Sequence, residues 1–232
     1  MNIKILYEDK NLIAVEKKHN IPTQKDKSRN TDLLTSVEFF LKINNRLKSN
    51  ESLFLLNRLD RPVGGIVLMA KNQNAAKVYS NLIKEQKITK EYLAICSGIS
   101  KKPNKTLVDY IETDSKINIS KVSSNESGKY SKLIYETLNA KENFSLLKIN
   151  LITGRHHQIR VQLAHDRLPI WGDTKYNDDF TTVTNVDIAL WAFHISFENP
   201  FSSKLINIYS YPDKNKKPWN KFDSIRRDSH YE

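Results

Sequence analysis

Cysteine is nearly absent from this chain. Cys96 stands alone among 232 residues, which excludes an internal disulfide and any cysteine-built metal site and suits a reducing compartment. Long apolar runs are missing as well. The most extended, residues 188–193, falls far short of the roughly 20 residues that a membrane-spanning helix needs. The opening, Met1-Asn2-Ile3-Lys4-Ile5-Leu6-Tyr7-Glu8-Asp9, reaches acidic side chains before any apolar core forms and so lacks a secretory signal pattern. A cytoplasmic chain with no membrane partner is expected.

Several catalytic signatures are absent too. No Walker loop and no Gly-x-Gly-x-x-Gly follows any apolar run, which removes support from nucleotide hydrolysis and dinucleotide redox chemistry. No Gly-x-Ser-x-Gly elbow supports a serine hydrolase. No repeat of fixed period occurs.

What the chain does have is cationic charge and enough apolar content for a core. Lysine plus arginine number 37 against 26 aspartate plus glutamate, a net charge of +11, so the summed field attracts polyanions such as RNA, DNA or an anionic membrane. At 39% apolar residues the chain buries a core as one large domain or two intimate halves, not as a disordered or fibrous segment.

Short apolar runs at 3–7 and 12–16, split by Glu8-Asp9-Lys10-Asn11, predict an opening hairpin. Leu33, Leu34, Val37, Phe40 and Leu41 recur at helical spacing, with Thr31 as the expected N-cap. Residues 53–56 read as a buried strand and 66–70 as another. Ala75, Ala76, Tyr79, Leu82 and Ile83 mark an amphipathic helix, and 88–96 a strand. Runs at 106–111, 131–138 and 144–152 make the middle β-rich, with 115–129 expected as polar loop. Residues 157–165 show helical spacing, and 188–197 and 205–209 return to strand. The irregular alternation argues for α+β with mostly antiparallel pairing. Residues 213–232 form a charged tail expected to be partly mobile.

Two clusters stand out chemically. In Asn57-Arg58-Leu59-Asp60-Arg61-Pro62 one carboxylate sits between two arginines, just before Gly64-Gly65, in a loop between apolar runs. Nearby cations favour the charged form of a carboxylate, and glycine lets backbone approach a ligand; Asp60 is a candidate nucleophile or base, or simply a turn aspartate beside solvated arginines. Thr153-Gly154-Arg155-His156-His157-Gln158-Ile159-Arg160 packs two arginines and two histidines at a strand-to-helix junction. Helical spacing is expected to align Arg160 with His156 and His157, and an arginine there suits a carboxylate such as Asp60 or a phosphate. A solvated helix start is the plain alternative. Metal binding through His156, His157, His165 and Asp173 lacks any recognised zinc spacing. Tyr92, in Lys90-Glu91-Tyr92, is either core or a stacking surface and proton carrier. Gly172-Asp173-Thr174-Lys175-Tyr176 reads as a structural turn without assigned chemistry.

Taken together these segments resemble the RluA-type family of pseudouridine synthases, whose usual pattern is His-Arg-Leu-Asp, a small-residue pair, a Lys-x-Tyr strand and Thr-Gly-Arg-x-His-Gln-Ile-Arg. The match runs from the opening hairpin through Tyr176 and weakly to Tyr211. The resemblance implies a pseudouridine synthase-like α+β fold, a mostly antiparallel mixed sheet flanked by helices with a central catalytic cleft, spanning residues 1–232 as a single catalytic domain. It implies isomerisation of uridine in tRNA or rRNA with no metal or organic cofactor. It assigns catalysis to Asp60, Tyr92 and Arg160, with Arg160 pairing with the aspartate, and base extrusion to Arg58. Arg61, Arg155 and His157 are further candidates for RNA contact.

Departures from the pattern are Asn57 for histidine, Val63-Gly64 for Thr-Ser, Gln162 for a frequent histidine, and Lys17-Lys18 where a Lys-Pro pair is common. The small N-terminal RNA-binding domain that many members carry is not seen, so RNA contact is expected from the catalytic domain, helped by Lys25, Lys27, Arg29, Lys84, Lys87, Lys101, Lys102 and Lys105 through phosphate attraction. The chain is expected to be a monomer. Two alternatives remain: a non-catalytic RNA-binding or RNA-folding factor on the same scaffold, and a metal-dependent nuclease using the histidines.

Overall fold

The computed structural model describes residues 2–26 and 30–222. Lys27, Arg29, Arg226 and Arg227 lie outside the described residues. In chain order the elements are β1 (Lys4–Glu8), β2 (Leu12–Lys17), α1 (Leu33–Ile43), β3 (Phe54–Leu55), β4 (Gly64–Ala70), α2 (Gln73–Lys84), β5 (Thr89–Ser97), β6 (Asn104–Asp114), β7 (Ile119–Val122), β8 (Lys129–Lys141), β9 (Phe144–Leu151), α3 (Gln158–His165), β10 (Leu190–Glu198) and β11 (Leu205–Tyr209). The chain divides into two compact units, Met1–Lys90 with Ala192–Ser210, and Glu91–Trp191 with Tyr211–Glu232.

In the first unit the strands run in the order β1-β2-β4-β10, with β3 on β4 and β11 on β10. The β1–β2 hairpin is antiparallel, as are the β2–β4 and β10–β11 pairs. Every residue of β4 is buried, because the strand is paired along its length and apolar side chains cover it. Leu12, Ala14, Ile66, Leu68, Ala75, Tyr79, Ile195 and Phe197 belong to one core cluster. Gly65 has φ +118, and a Cβ there would meet the Ala192 carbonyl oxygen at 2.2 Å. Only glycine permits that approach.

α1 starts at Asp32, not Thr31: Asp32 Oδ1 accepts from the Thr35 amide at 2.9 Å and Oδ2 from the Thr35 hydroxyl at 2.8 Å. A carboxylate satisfies two donors where a threonine hydroxyl satisfies one amide. Leu33, Val37 and Leu41 form its buried face. The expected strand at 53–56 shrinks to the two residues of β3, and Phe54 is exposed: Phe54 and Leu55 pair with the end of β4, and Leu56 adds a single bond from its amide to the Leu68 carbonyl at 3.0 Å.

The second unit orders its strands β5-β9-β8-β6-β7, with β5–β9, β9–β8, β8–β6 and β6–β7 antiparallel. The polar stretch 115–129 contains β7, which pairs with the end of β6; four residues of Ile-Ser-Lys-Val gain strand structure from a partner, not from their own pattern. α3 packs against β6 and β7. Toward the C-terminus, Trp219 and Phe222 are buried, so the start of the charged tail is anchored by aromatic side chains. Among the described residues no helix is long and apolar enough to cross a membrane. The architecture is α+β, as the irregular alternation implied.

Candidate active site

Asp60 sits on the turn that leads into β4, half-buried, with Arg58 and Arg61 exposed on either side. The turn closes through the Val63 amide donating to the Asp60 carbonyl at 2.9 Å. Asn57, where histidine is common, acts as a strand mimic: its Oδ1 accepts from the Leu68 amide at 2.7 Å and its Nδ2 donates to the Ile66 carbonyl at 3.2 Å. The side chain thereby ties the start of the Asp60 loop to β4.

The loop after β2 laces the other side of this turn. Thr23 Oγ1 donates to the Leu59 carbonyl at 2.8 Å and accepts from the Leu59 amide at 3.3 Å. His19 Nδ1 donates to the Pro62 carbonyl at 2.7 Å, and Arg61 Nε donates to the Asn20 carbonyl at 3.3 Å. The loop that departs from the usual Lys-Pro sequence is therefore built into the wall of the aspartate turn.

In the second unit, Tyr92 of β5 faces Ile149 of β9, which faces Tyr135 of β8, which faces Lys105 of β6. Directly paired residues point to the same side of a sheet. α3 covers that side: Gln162 donates to Asp109 of β6 at 2.6 Å, and the Tyr135 hydroxyl donates to Asp166, just beyond the helix, at 3.1 Å. Tyr92 and α3 thus share one face, and Tyr92 is only 7% exposed.

α3 begins at Gln158, with His157 as its N-cap in the left-handed region at φ 53. His156 therefore lies outside the helix and does not align with Arg160 by helical spacing, because the left-handed residue reverses the chain just before the first turn. Gln158 builds the junction: its Oε1 accepts from the Thr153 hydroxyl at 2.8 Å and the Arg155 amide at 3.0 Å, and its Nε2 donates to Gln162 at 2.9 Å. Gln162, in place of a frequent histidine, extends this ladder to Asp109. Arg155 is exposed, its Nε donating to the Tyr130 carbonyl at 3.0 Å.

Arg160 is buried and its guanidinium is gripped as a fork: Nε donates to Asp173 Oδ2 at 2.8 Å and an Nη to Oδ1 at 2.7 Å. Its charge also lies over the Tyr176 ring, 5.2 Å from the centroid. The Tyr176 hydroxyl accepts from the Ser120 amide at 2.7 Å and shares a hydrogen bond of 2.8 Å with His157 Nδ1. Burial and then the Arg160 charge push His157 down to about 2, so the ring is neutral. The neighbouring His156 stacks on it at 3.7 Å and shares a hydrogen bond of 2.9 Å with the Ser120 hydroxyl.

The sequence pattern offers Asp173 only as a metal ligand and gives Tyr176 no role, since the turn that holds them reads as structural. The signal for them is Gly172: at φ +76 its Cβ would meet the Asp187 carbonyl oxygen at 2.5 Å, so the glycine is required to deliver Asp173 to Arg160. Among the described residues no group of three or more His, Cys, Asp or Glu could hold a metal ion. Of the lysines expected to meet RNA, Lys25, Lys84, Lys87, Lys101 and Lys102 are exposed, whereas Lys105 is ion-paired to Asp166.

Residues 11–165 match the model of the RNA pseudouridylate synthase family. The chain belongs to that family. It is 31% identical to the tRNA pseudouridine synthase C of Haemophilus ducreyi over 77% of this chain and 75% of the relative. It is 30% identical to the ribosomal large subunit pseudouridine synthase C of Rickettsia bellii over 88% of this chain and 66% of the relative. The fold is similar to that of human RNA pseudouridylate synthase domain containing 4, with TM-score 0.76, 19% identity and coverage of 91% of this chain and 89% of that one. Both sequence clusters lie inside or at the edge of the matched pseudouridylate synthase segment, and Asp173 and Tyr176 lie just beyond it.

Proposed function

We propose that this chain converts uridine to pseudouridine in structured tRNA or rRNA, with Asp60 as the catalytic carboxylate and Tyr92 and Arg160 serving the same nucleoside. The observation that carries the assignment is the Asp60 turn: a half-buried carboxylate, braced on both sides by side-chain and backbone hydrogen bonds, within the family segment. The reaction breaks the bond between ribose C1′ and uracil N1, turns the base, joins C5 to C1′, moves the C5 proton to solvent and protonates N1. No electron is gained or lost, and in this reading no metal or organic cofactor takes part. Asp60 is suited to attack or to proton abstraction at the sugar or base. Tyr92 offers a ring for the freed uracil and a phenol for the C5 proton.

A uridine inside structured RNA must first leave its stack, at a cost of a few kcal/mol. Arg58 is exposed and suited to fill the gap, since a guanidinium plane both stacks on bases and binds phosphate. Arg61 and Arg155, also exposed, extend the cationic contact. The burial of His157 and its bond to Tyr176 favour a post beneath the turn that presents Arg155. In this reading residues 1–232 serve as one catalytic domain, acting as a cytoplasmic monomer.

The test is release of the C5 proton, followed as tritium from RNA labelled at uracil C5. Asp60→Asn is expected to abolish release while RNA affinity stays within about twofold. Release at the wild-type rate from that variant refutes the role of Asp60.

A further inference from the structure

Lys17 is fully buried, a position lysine almost never takes without partners. It ends β2 opposite Gly65 of β4. Its ammonium donates to three backbone carbonyls, those of Ile21 at 2.7 Å, Arg61 at 2.9 Å and Lys18 at 3.2 Å. An ammonium has three donors and no acceptor, so each proton has its carbonyl. Two of the carbonyls belong to the loop after β2. The third is that of the residue following Asp60.

This cage works only while the nitrogen carries its charge. A neutral amine has two donors and turns a lone pair toward the third carbonyl, and a carbonyl buried without a donor is costly. The same two loops are joined by His19 to Pro62, Arg61 to Asn20, and Thr23 to Leu59. Thr23 and His19 hold the backbone on either side of Arg61, whereas Lys17 takes the Arg61 carbonyl itself.

We infer that Lys17 is a positioning residue for the reaction at Asp60: its charged ammonium, held on three carbonyls, keeps the Asp60-Arg61-Pro62 turn in the conformation that presents the carboxylate. The inference rests on Asp60 being the catalytic group. Burial pushes Lys17 down to about 7, with the Asp60 charge raising it and the Arg61 charge lowering it further. Between that value and the ordinary 10.5 the unfolded chain holds a proton that the folded chain lacks. The contribution of Lys17 to stability therefore rises with pH through this window. Activity moves the other way, because the cage loses its charge. A lysine that served folding alone would leave activity to follow stability.

The experiment measures single-turnover pseudouridine formation, thermal midpoint and the backbone amide resonances of residues 59–63 from about pH 6 to about pH 9. For the wild type the rate is expected to fall roughly tenfold across the window with RNA affinity unchanged, while the amides of 59–63 titrate with a midpoint near that of Lys17. Lys17→Met, of similar length and without charge, is expected to give a pH-independent rate about tenfold below the wild-type maximum. Wild-type amides and rate that ignore the window overturn the inference, and so does Lys17→Met at the full wild-type rate. If Lys17→Met does not fold, the wild-type series decides alone. Asp60→Asn separates the two readings: inactive at every pH, it is expected to keep the titration of 59–63, shifted to lower pH because the charge that raises Lys17 is gone. An active Asp60→Asn sinks the assignment of Asp60, and with it the catalytic role given to Lys17.

Discussion

Asp173 grips Arg160 through two parallel hydrogen bonds of 2.8 and 2.7 Å, with the arginine side chain 4% exposed and the aspartate side chain fully buried. A planar fork met by a carboxylate in this way fixes the guanidinium in rotation as well as position. The third guanidinium nitrogen is then aimed by the pair, not by the flexibility of the arginine chain.

Removing one member of such a pair leaves a buried charge with a partner fewer. Asp173→Ala is expected to lower stability by about 3 kcal/mol, read as a shift in the urea midpoint. Asp173→Asn keeps the shape and one acceptor, so its loss of stability is expected to be smaller while pseudouridine formation still falls by about tenfold or more. Wild-type turnover in Asp173→Asn would show that the orientation of Arg160 does not limit the reaction.

Asn57, where histidine is common, pairs with β4 through both the oxygen and the nitrogen of its side-chain amide. Asn57→Ala removes two hydrogen bonds and is expected to cost about 1–2 kcal/mol. Because the same bonds hold the start of the aspartate loop, hydrogen exchange at residues 57–60 is expected to quicken more than in the rest of the first unit. Uniform quickening would argue that Asn57 stabilises the strand without ordering the loop.

His157 links acid stability to this site. Burial holds its folded-state value at about 2 against an ordinary 6.5, so between those values the unfolded chain binds a proton that the folded chain does not. Stability is then expected to fall as pH drops from about 6.5 toward 2. His157→Gln loses its bond to Tyr176, worth about 1 kcal/mol near neutral pH, but is expected to show a flatter acid limb. Thermal midpoints of both proteins across the acid range check this; parallel curves would exclude His157 as the titrating group.

Gly65→Ala tests the tight approach of β4 to the Ala192 backbone. Its positive φ and the 2.2 Å meeting of a Cβ with the Ala192 carbonyl oxygen predict a loss of about 3 kcal/mol or more, visible as a lowered thermal midpoint. A change below about 0.5 kcal/mol would mean that β4 and β10 separate easily.

The legible parts of the fold are those with local causes. β11 matches the expected 205–209, and α2 begins at Gln73 because Asn72 caps it by accepting from the Ala75 amide at 2.9 Å. Where the cause is a partner, the pattern gives no warning: β7 is four residues inside a polar stretch and exists through its ladder with β6. The α1 cap moved by one residue because Asp32 outbids its neighbour for the Thr35 donors.

Asp60, Tyr92 and Arg160 are readable as candidates because each lies in a short motif whose spacing is written along the chain, and those motifs fall within the segment that matches the family. What surrounds them is another matter. Lys17 looks like one more surface lysine in a basic segment, and only folding seals it onto a carbonyl 44 residues away. Asp173 is an ordinary turn residue until Arg160 arrives from α3. Local sequence determines which chemical groups are present and which segments pair or coil, since backbone preference and hydrophobic period act over a few residues. Only the tertiary structure decides which charges lose their water, because desolvation depends on every chain segment that closes around them.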